Sequence, residues 1–413
     1  MARKVLISFL GTGPLESKEK RTYKTARYHL GDTCLGDYSF VAAALEKHYN
    51  IDSTFLVGTV HSMWEEVYRW HREKNGLELD ENVYLEIADG CENANHLSPL
   101  SVPHKEEIER TLGNDSKVVL IKYGISEEEI KDNINTILGL VNYLKNGDEL
   151  IVDVTHSFRS LPIFLMNLLI FIQNVSNKSI TISHIHYGML EMRNELGYAP
   201  IIDLKTILNL NDWITGAYSF SQFGNAYKIS DLMNEENKSV ATLLNEFSDL
   251  MNLNHLYAIR NVSQRLASIK NANYNTYLPK MIINPLVDNF VAQFRASRND
   301  RDSVFQLKVA RWQFNNRKYA QAFLTLTEAI ISYVCEVNGL DASLRDNREE
   351  AKKALWFRSY SPLSCEPTIK TLYNDVYKLR NATAHAVETD NSTREMIKKL
   401  KDSLTEFEKI CHK

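Results

Sequence analysis

A chain of 413 residues with 44% hydrophobic and 24% charged content is long enough for two or three domains, each with its own core, and its composition excludes a disordered or fibrous class. Its formal net charge of −4 lacks the global basic signature common among nucleic-acid binders, so any RNA contact must be local. Five cysteines, Cys34, Cys91, Cys335, Cys365 and Cys411, are odd in number and never in CxxC spacing, which argues against a disulfide framework or a zinc knuckle and fits a reducing, cytoplasmic setting.

The opening apolar run, KVLISFL at 4–10, is too short for a membrane span and is followed by Glu16 and Glu19 rather than a small-residue cleavage site, so it predicts a buried strand. Further β-rich runs at 52–58, 83–87, 117–124 and 149–155 alternate with stretches of helical spacing at 39–48, 126–145 and 161–175. Such alternation predicts an α/β fold, a mostly parallel sheet covered by helices on both faces. The helix at 161–175, LPIFLMNLLIFIQNV, is almost wholly apolar and is expected to lie against the sheet. TISHIHYG at 181–188 reads as another strand, and LEMR with YAPIIDL, separated by Asn194 to Gly197, reads as a hairpin.

Beyond about residue 205 the β-rich pattern gives way to helix after helix, so the fold class changes to all-α. Residues 206–300 predict a helical connector interrupted by the loop KNANYNTYLP. From 303 two long amphipathic helices end at Asn338 and Gly339, residues suited to a C-terminal cap, and the stretch TIKTLYNDVYKLRNATAHAV gives another, with Leu372, Val376 and Leu379 at helical spacing. The expected division is 1–205, 206–300 and 301–413.

Two groups of residues could carry chemistry. The first is RNATAH, Arg380 to His385. Metal-free RNA cleavage needs a group that handles the proton of the attacking 2′-hydroxyl and a cation that holds the charge gathering on the phosphorane; His385 and Arg380 are of those types. Chance supplies an Arg-x4-His pair in roughly every second chain of this size and composition. From the residues alone, Arg380 capping a helix and His385 standing in solvent is the competing reading. Five residues along a helix advance about 7.5 Å and about 140°, so the two side chains do not share one narrow stripe.

The setting of the motif resembles the HEPN family of ribonucleases, whose motif is Arg-x4-6-His, usually with Asn directly after the Arg, as Asn381 is here. The segment RKYAQAFLTLTEAIISYVCE at 317–336 is similar to the long first helices of these domains, although Arg317, Tyr319 and Glu328 read equally as ordinary packing and surface ion pairing. The resemblance implies that two HEPN domains pair about a twofold axis and bring two Arg and two His into one groove, so a homodimer is expected.

The second group is DVTHSFRSLP, Asp153 to Pro162, placed between a buried strand and a helix. In open α/β sheets ligands bind beyond the carboxyl ends of the strands, and a helix start favours phosphate. Thr155, His156, Ser157 and Arg159 cluster hydroxyls, an imidazole and a guanidinium there; a capped helix start with no ligand is the plain alternative. The run resembles the D-x-T-H-[GS] signature of CRISPR-associated proteins with a CARF sensor domain, at Asp153, Thr155, His156 and Ser157. The opening turn, with Gly11, Thr12 and Gly13, is also similar to that family, and LVGTVHSMW puts Gly58, Thr59 and Ser62 at a third strand end.

The resemblance covers essentially the whole chain and implies an N-terminal Rossmann-like CARF domain that binds cyclic oligoadenylate, the second messenger of type III CRISPR systems, with the tetramer ring favoured and the hexamer next. It implies a C-terminal HEPN ribonuclease that cuts single-stranded RNA without a metal and leaves 2′,3′-cyclic phosphate ends. The alternative is a ligand-sensing transcriptional regulator in which residues 206–300 contact DNA and the HEPN domain only dimerises. No GxGxxG follows the first strand and no GxxxxGK[ST] occurs, so no nucleotide cofactor is expected. His184 and His186 alternate on a strand with no Cys or carboxylate spaced to complete a metal site, and no metal is expected.

Overall fold

The computed structural model describes residues 2–17, 22–156, 160–294, 301–356, 361–384 and 391–412. The chain divides into two compact units, Met1–Leu210 and Asn211–Lys413. An N-terminal Rossmann-like α/β sheet and a C-terminal helical region are what the alternation and its loss predict.

The N-terminal unit contains β1 (Lys4–Leu10), β2 (Leu15–Ser17), β3 (Thr22–Tyr23), β4 (Ala26–Leu30), β5 (Thr33–Tyr38), β6 (Ser53–Gly58), β7 (Lys117–Leu120), β8 (Glu149–Asp153), β9 (Thr181–Gly188) and β10 (Ala199–Asp203). Eight of these form one sheet in the order β5-β4-β10-β9-β8-β1-β6-β7, and β2 with β3 makes a small separate ribbon. The five strands from β9 to β7 are parallel, and β10 and the β4–β5 hairpin extend the β9 side.

Central position explains the composition of β1. Its Val5, Ile7 and Phe9 belong to the core on one face of the sheet, and Leu6 and Leu10 to the core on the other. A strand covered on both faces reads as a continuous apolar run rather than an alternating one. Helices α1 (Val41–Tyr49), α2 (Trp64–Lys74), α3 (Glu81–Glu92) and α4 (Lys105–Leu112) accompany the path from β5 through β6 to β7. Helix α5 (Glu127–Gly139) returns the chain to β8 on the other side of β1, and α6 (Leu161–Asn174) leads on to β9. The winding therefore reverses between β1 and β8, the crevice where such sheets receive ligands. The apolar α6 does lie against the sheet, with Leu161, Leu165, Leu168, Leu169 and Ile172 buried in the same core as Val5 and Ile7.

Three local expectations fail. Residues 83–87 lie inside α3, because Asp80 accepts bonds from the backbone N–H groups of Asn82 and Val83 and the residues buried, Tyr84, Ile87, Ala88 and Cys91, repeat at helical intervals. LEMR is a 3₁₀ turn, Leu190–Met192, running into the short α7 (Arg193–Leu196); the hairpin forms instead between β9 and β10, with Ile201 opposite Gly188. Strand β7 stops at Leu120, short of the expected 124. The β4–β5 hairpin, turning at Gly31 with φ +58°, was not expected from the sequence and joins the sheet through β10, with Ala199 opposite Tyr28.

The boundary between units falls within α8 (Thr206–Phe223). The C-terminal unit continues with α9 (Tyr227–Met233), α10 (Lys238–Leu253), α11 (Leu256–Leu266), α12 (Tyr277–Gln293), α13 (Asp302–Asn315), α14 (Tyr319–Val337), α15 (Arg345–Leu355), α16 (Pro367–Ala384) and α17 (Thr393–Cys411). Two cores serve it. One joins α8 to α12 with Phe305, Val309 and Trp312 of α13; the other joins α14 to α17 with Leu307 and Ala310 of the same helix. Buried on both sides, α13 shows no single apolar stripe. Among the described residues α14 alone is long and apolar enough to cross a membrane, and 61% of its apolar window is buried inside the protein, where it forms the centre of the second core.

Candidate functional site

A cavity of about 390 Å³ sits at the switch point, lined by residues at and just beyond the carboxyl ends of β1, β6, β7 and β8: Leu10, Gly11 and Thr12; Gly58, Thr59, His61 and Ser62; Ile121 and Tyr123; Thr155 and His156; and Leu161 at the start of α6. That volume lies within the range of roughly 300–1,000 Å³ usual for small-molecule sites. The three loops singled out in the sequence thus converge. Gly13 lines an adjoining cavity of about 180 Å³ that shares Thr12, His61 and Ser62. Ser157 and Arg159 lie outside the described residues.

Two hydroxyl clamps hold the cavity rim. Asp153 is fully buried and accepts hydrogen bonds from the Ser8 hydroxyl at 2.5 Å, the Thr155 backbone N–H at 3.0 Å and the Thr155 hydroxyl at 2.5 Å. The Thr155 hydroxyl in turn accepts from the Gly188 N–H at 2.7 Å, tying the ends of β8 and β9 together. Ser62 does the same for β1 and β6: its hydroxyl donates to the Leu10 carbonyl at 2.7 Å and accepts from the Thr59 N–H at 3.0 Å. A Cβ on Gly58 would stand 2.8 Å from the Ser62 Oγ and 3.0 Å from the Leu10 carbonyl, so only glycine allows this closure.

Thr155 and Ser62 are therefore occupied in shaping the cavity. His156 differs. Its Nε2 is buried with no hydrogen-bond partner among the described residues, although the residue lines the cavity. A buried polar atom without a partner costs free energy that a ligand could recover. Burial pushes the His156 imidazole below its usual pKa, which keeps it neutral, and pushes the Asp153 carboxyl up. The start of α6 adds the backbone N–H of Leu161, with no side-chain cap from Ser160; Pro162 has no N–H, and the Ile163 and Phe164 N–H groups donate to the Ser160 carbonyl. His61 and Tyr123 are lining residues that the sequence reasoning passed over. His61 lies between Thr59 and Ser62 in a loop already chosen, and Tyr123 follows β7 at the same end of the sheet.

Arg380 and Asn381 lie in the last turns of α16, on the helix expected for them. Both are half-buried, and the Arg380 Nη1 donates to the Asn381 Oδ1 at 2.8 Å. The Arg380 guanidinium also stands 5.9 Å from the Tyr377 ring centroid. His385 lies outside the described residues. Elsewhere in this unit Tyr319 packs on Phe314, and Glu328 pairs with Arg348, which are packing and ion-pair roles.

Two tempting features carry less. A larger cavity, about 650 Å³, lies in the C-terminal unit, but its guanidinium groups are already paired, Arg260 with Asp302 and Arg348 with Glu328. His184 and His186 stack at 5.1 Å; His184 Nδ1 meets Asp203 at 2.7 Å and His186 Nε2 meets the Tyr49 hydroxyl at 2.8 Å. Sequence reasoning missed that Asp203 partner, yet no cluster of three metal-ligating side chains occurs among the described residues.

Comparison with known proteins bears on both units. The family model for the CARF domain of the CRISPR system endoribonuclease Csx1 matches residues 5–191, and that for the second domain of the CRISPR-associated protein MJ1674 matches residues 209–300. The CRISPR-associated protein MJ1674 of Methanocaldococcus jannaschii is 33% identical over 433 aligned positions, spanning 98% of this chain and 67% of that one. Among solved structures, Enterococcus italicus Csm6 bound to cyclic hexa-2′-fluoro-hexa-dAMP aligns with 99% of this chain and 94% of its own at 12% identity and a TM-score of 0.40, a likeness too slight to transfer anything from one to the other. Residues 5–191 are a CARF domain of the Csx1 kind, and the chain belongs to the family of the CRISPR-associated protein MJ1674.

Proposed function

We propose that this chain is an endoribonuclease of type III CRISPR antiviral defence, switched on by cyclic oligoadenylate bound to its N-terminal unit. In this reading residues 1–205 are the sensor, 206–300 a helical connector and 301–413 a HEPN ribonuclease domain. The observation that carries it is the cavity at the switch point, built from the DVTH run and two further strand-end loops in a CARF domain.

Phosphates of the messenger take the backbone N–H groups of Gly11, Thr12 and Gly13 and that of Leu161 at the start of α6, and His156 offers its unpartnered Nε2. Thr59, Ser62 and Thr155 hold the loops in place, and Ser157 and Arg159 complete the group. A ring of adenylates is symmetric and suits a site shared by two copies of the chain, so the functional species is a homodimer. The tetramer ring is favoured and the hexamer is the competing size. Gating requires that the ring bind one state of the dimer more tightly than the other.

In the C-terminal unit Arg380 stabilises the phosphorane, His385 transfers or orients the proton of the 2′-hydroxyl, and Asn381, already bonded to Arg380, holds the guanidinium in register. Two such pairs across the dimer make one groove for single-stranded RNA. Cleavage proceeds without a metal and leaves 2′,3′-cyclic phosphate ends. The test is RNA cleavage by the purified chain with cyclic tri-, tetra- and hexa-adenylate. Cleavage that needs one of these rings and is lost in His385→Ala with dimerisation intact is expected. Undiminished cutting by His385→Ala, or loss of activity in EDTA, overturns the assignment.

A further inference from the structure

Beside Arg380 the C-terminal unit presents an aromatic cluster that packing alone does not explain. Trp356, directly after α15, meets Tyr377 of α16 edge to face, with ring centroids 5.1 Å apart at 89°. Tyr373, one turn before Tyr377, stacks on it at 5.5 Å and 26° and meets Trp356 edge-on at 5.8 Å. Tyr373 is fully buried and belongs to the core, so it fixes the other two rings from beneath. Trp356 is 37% exposed and Tyr377 is half-buried. An indole so firmly held yet open to water is a preorganised surface rather than a core residue.

Charge completes the arrangement. Tyr377 and Arg380 are three residues apart on α16, so they share one helix face, and the guanidinium stands 5.9 Å from the Tyr377 centroid. Asn381 accepts from the same guanidinium. Flat π surfaces next to a fixed cation match a nucleotide, whose base stacks while its phosphate pairs with the charge. A purely apolar partner would bury Trp356 but leave Arg380 desolvated and unmatched.

We propose that Trp356 and Tyr377 form a stacking subsite that takes one unpaired base of single-stranded RNA and so delivers that nucleotide's phosphate to Arg380. The choice of RNA as ligand rests on the ribonuclease reading above. Trp356 and Tyr377 are positioning residues here: they act on where the strand sits, not on the reacting atoms.

The test measures binding apart from cleavage. A ten-nucleotide RNA with 2′-fluoro groups, which lacks the attacking hydroxyl, is titrated into the full-length protein, and the titration is repeated with a single abasic position moved along the strand. Trp356→Leu should raise Kd about ten-fold, within the range a single stacked base contributes, and Trp356→Phe should recover most of the loss. One abasic position should weaken binding to the parent by a similar factor and leave binding to Trp356→Leu unchanged. Parent-like affinity in Trp356→Leu, or equal affinity at every abasic position, overturns the subsite. If Trp356→Leu does not fold, the abasic scan on the parent decides alone. A protein that binds this way but does not cut unmodified RNA refutes the ribonuclease reading and leaves the subsite standing; one that cuts RNA with no stacked position does the reverse.

Discussion

Thr155→Val is the most informative single substitution in the N-terminal unit, because it preserves shape and removes only the hydroxyl that holds β8 to β9. That hydroxyl donates to the buried Asp153 at 2.5 Å and accepts from the Gly188 N–H at 2.7 Å. Losing the first bond costs about 1–3 kcal/mol, and leaving the Gly188 N–H without a partner costs about as much again, so a total of about 2–4 kcal/mol is expected once partial relaxation is allowed. In a unit of about two hundred residues each kcal/mol moves Tm by roughly 2–4 °C, which gives a fall of roughly 4–16 °C. Scanning calorimetry of the full chain reads this directly, and titration of cyclic tetra-adenylate reads the effect on the cavity. Thr155→Ser should restore both. A Tm within about 2 °C of the parent would refute the clamp. Lost affinity at unchanged Tm would mean that the hydroxyl serves the ligand directly.

Further outcomes follow from the same geometry. Gly58→Ala must displace both Ser62 and the Trp64 ring, and should weaken messenger binding at least ten-fold while leaving the C-terminal unit's unfolding transition in place, as separate calorimetric peaks would show. Arg380→Lys keeps the charge but loses the planar fork that Asn381 orients, so kcat for RNA cleavage should fall about 10²–10³-fold with messenger affinity unchanged. Burial first, and the neighbouring His184 further, hold the His186 imidazole down to about 4, against the upward pull of Asp203. Its folded pKa lies below the unfolded value near 6.5, so the unfolded chain takes up the proton first and stability is lost as pH falls from about 6.5 to about 4, by up to about 3 kcal/mol. His186→Gln should flatten that part of the stability profile in urea titrations; an unchanged slope would show that His186 titrates normally.

Much of the fold is legible in the sequence because burial on both faces leaves a plain mark: β1, β6 and β8 read as apolar runs and are found where those runs lie. Short alternation is a poorer guide. Residues 83–87 alternate like a strand, but Asp80 three residues upstream caps a helix, and the i, i+3, i+4 spacing of Tyr84, Ile87 and Ala88 decides the matter. The β4–β5 hairpin was within reach too: the dipeptide Gly31-Asp32 lies between two short strands, a known turn signal. Its pairing with β10, nearly 170 residues downstream, depends on long-range packing that no local pattern encodes.

The candidate site divides in the same way. That three strand ends converge follows from the strand-end rule for α/β sheets, and the cavity contains Gly11, Thr12, Thr59, Ser62, Thr155 and His156. Residue type did not reveal which of them are free to meet a ligand. The hydroxyls of Thr155 and Ser62 are consumed within the protein, whereas His156 keeps an unpartnered nitrogen. The aromatic cluster beside Arg380 is half visible: Tyr373, Tyr377 and Arg380 recur at helical spacing, but Trp356 arrives from α15 through tertiary packing.

In the proposed function, a messenger bound in one unit releases RNA cleavage in the other. The direct measurement is cleavage of a labelled single-stranded RNA by the full chain in EDTA, with and without cyclic tetra-adenylate or cyclic hexa-adenylate, for the parent, His156→Ala and His385→Ala. Cutting only with a ring present, 2′,3′-cyclic phosphate ends, a shift of the activating concentration in His156→Ala, and no cutting in His385→Ala are expected. Cleavage that ignores the messenger, or that persists in His385→Ala, contradicts the proposed function.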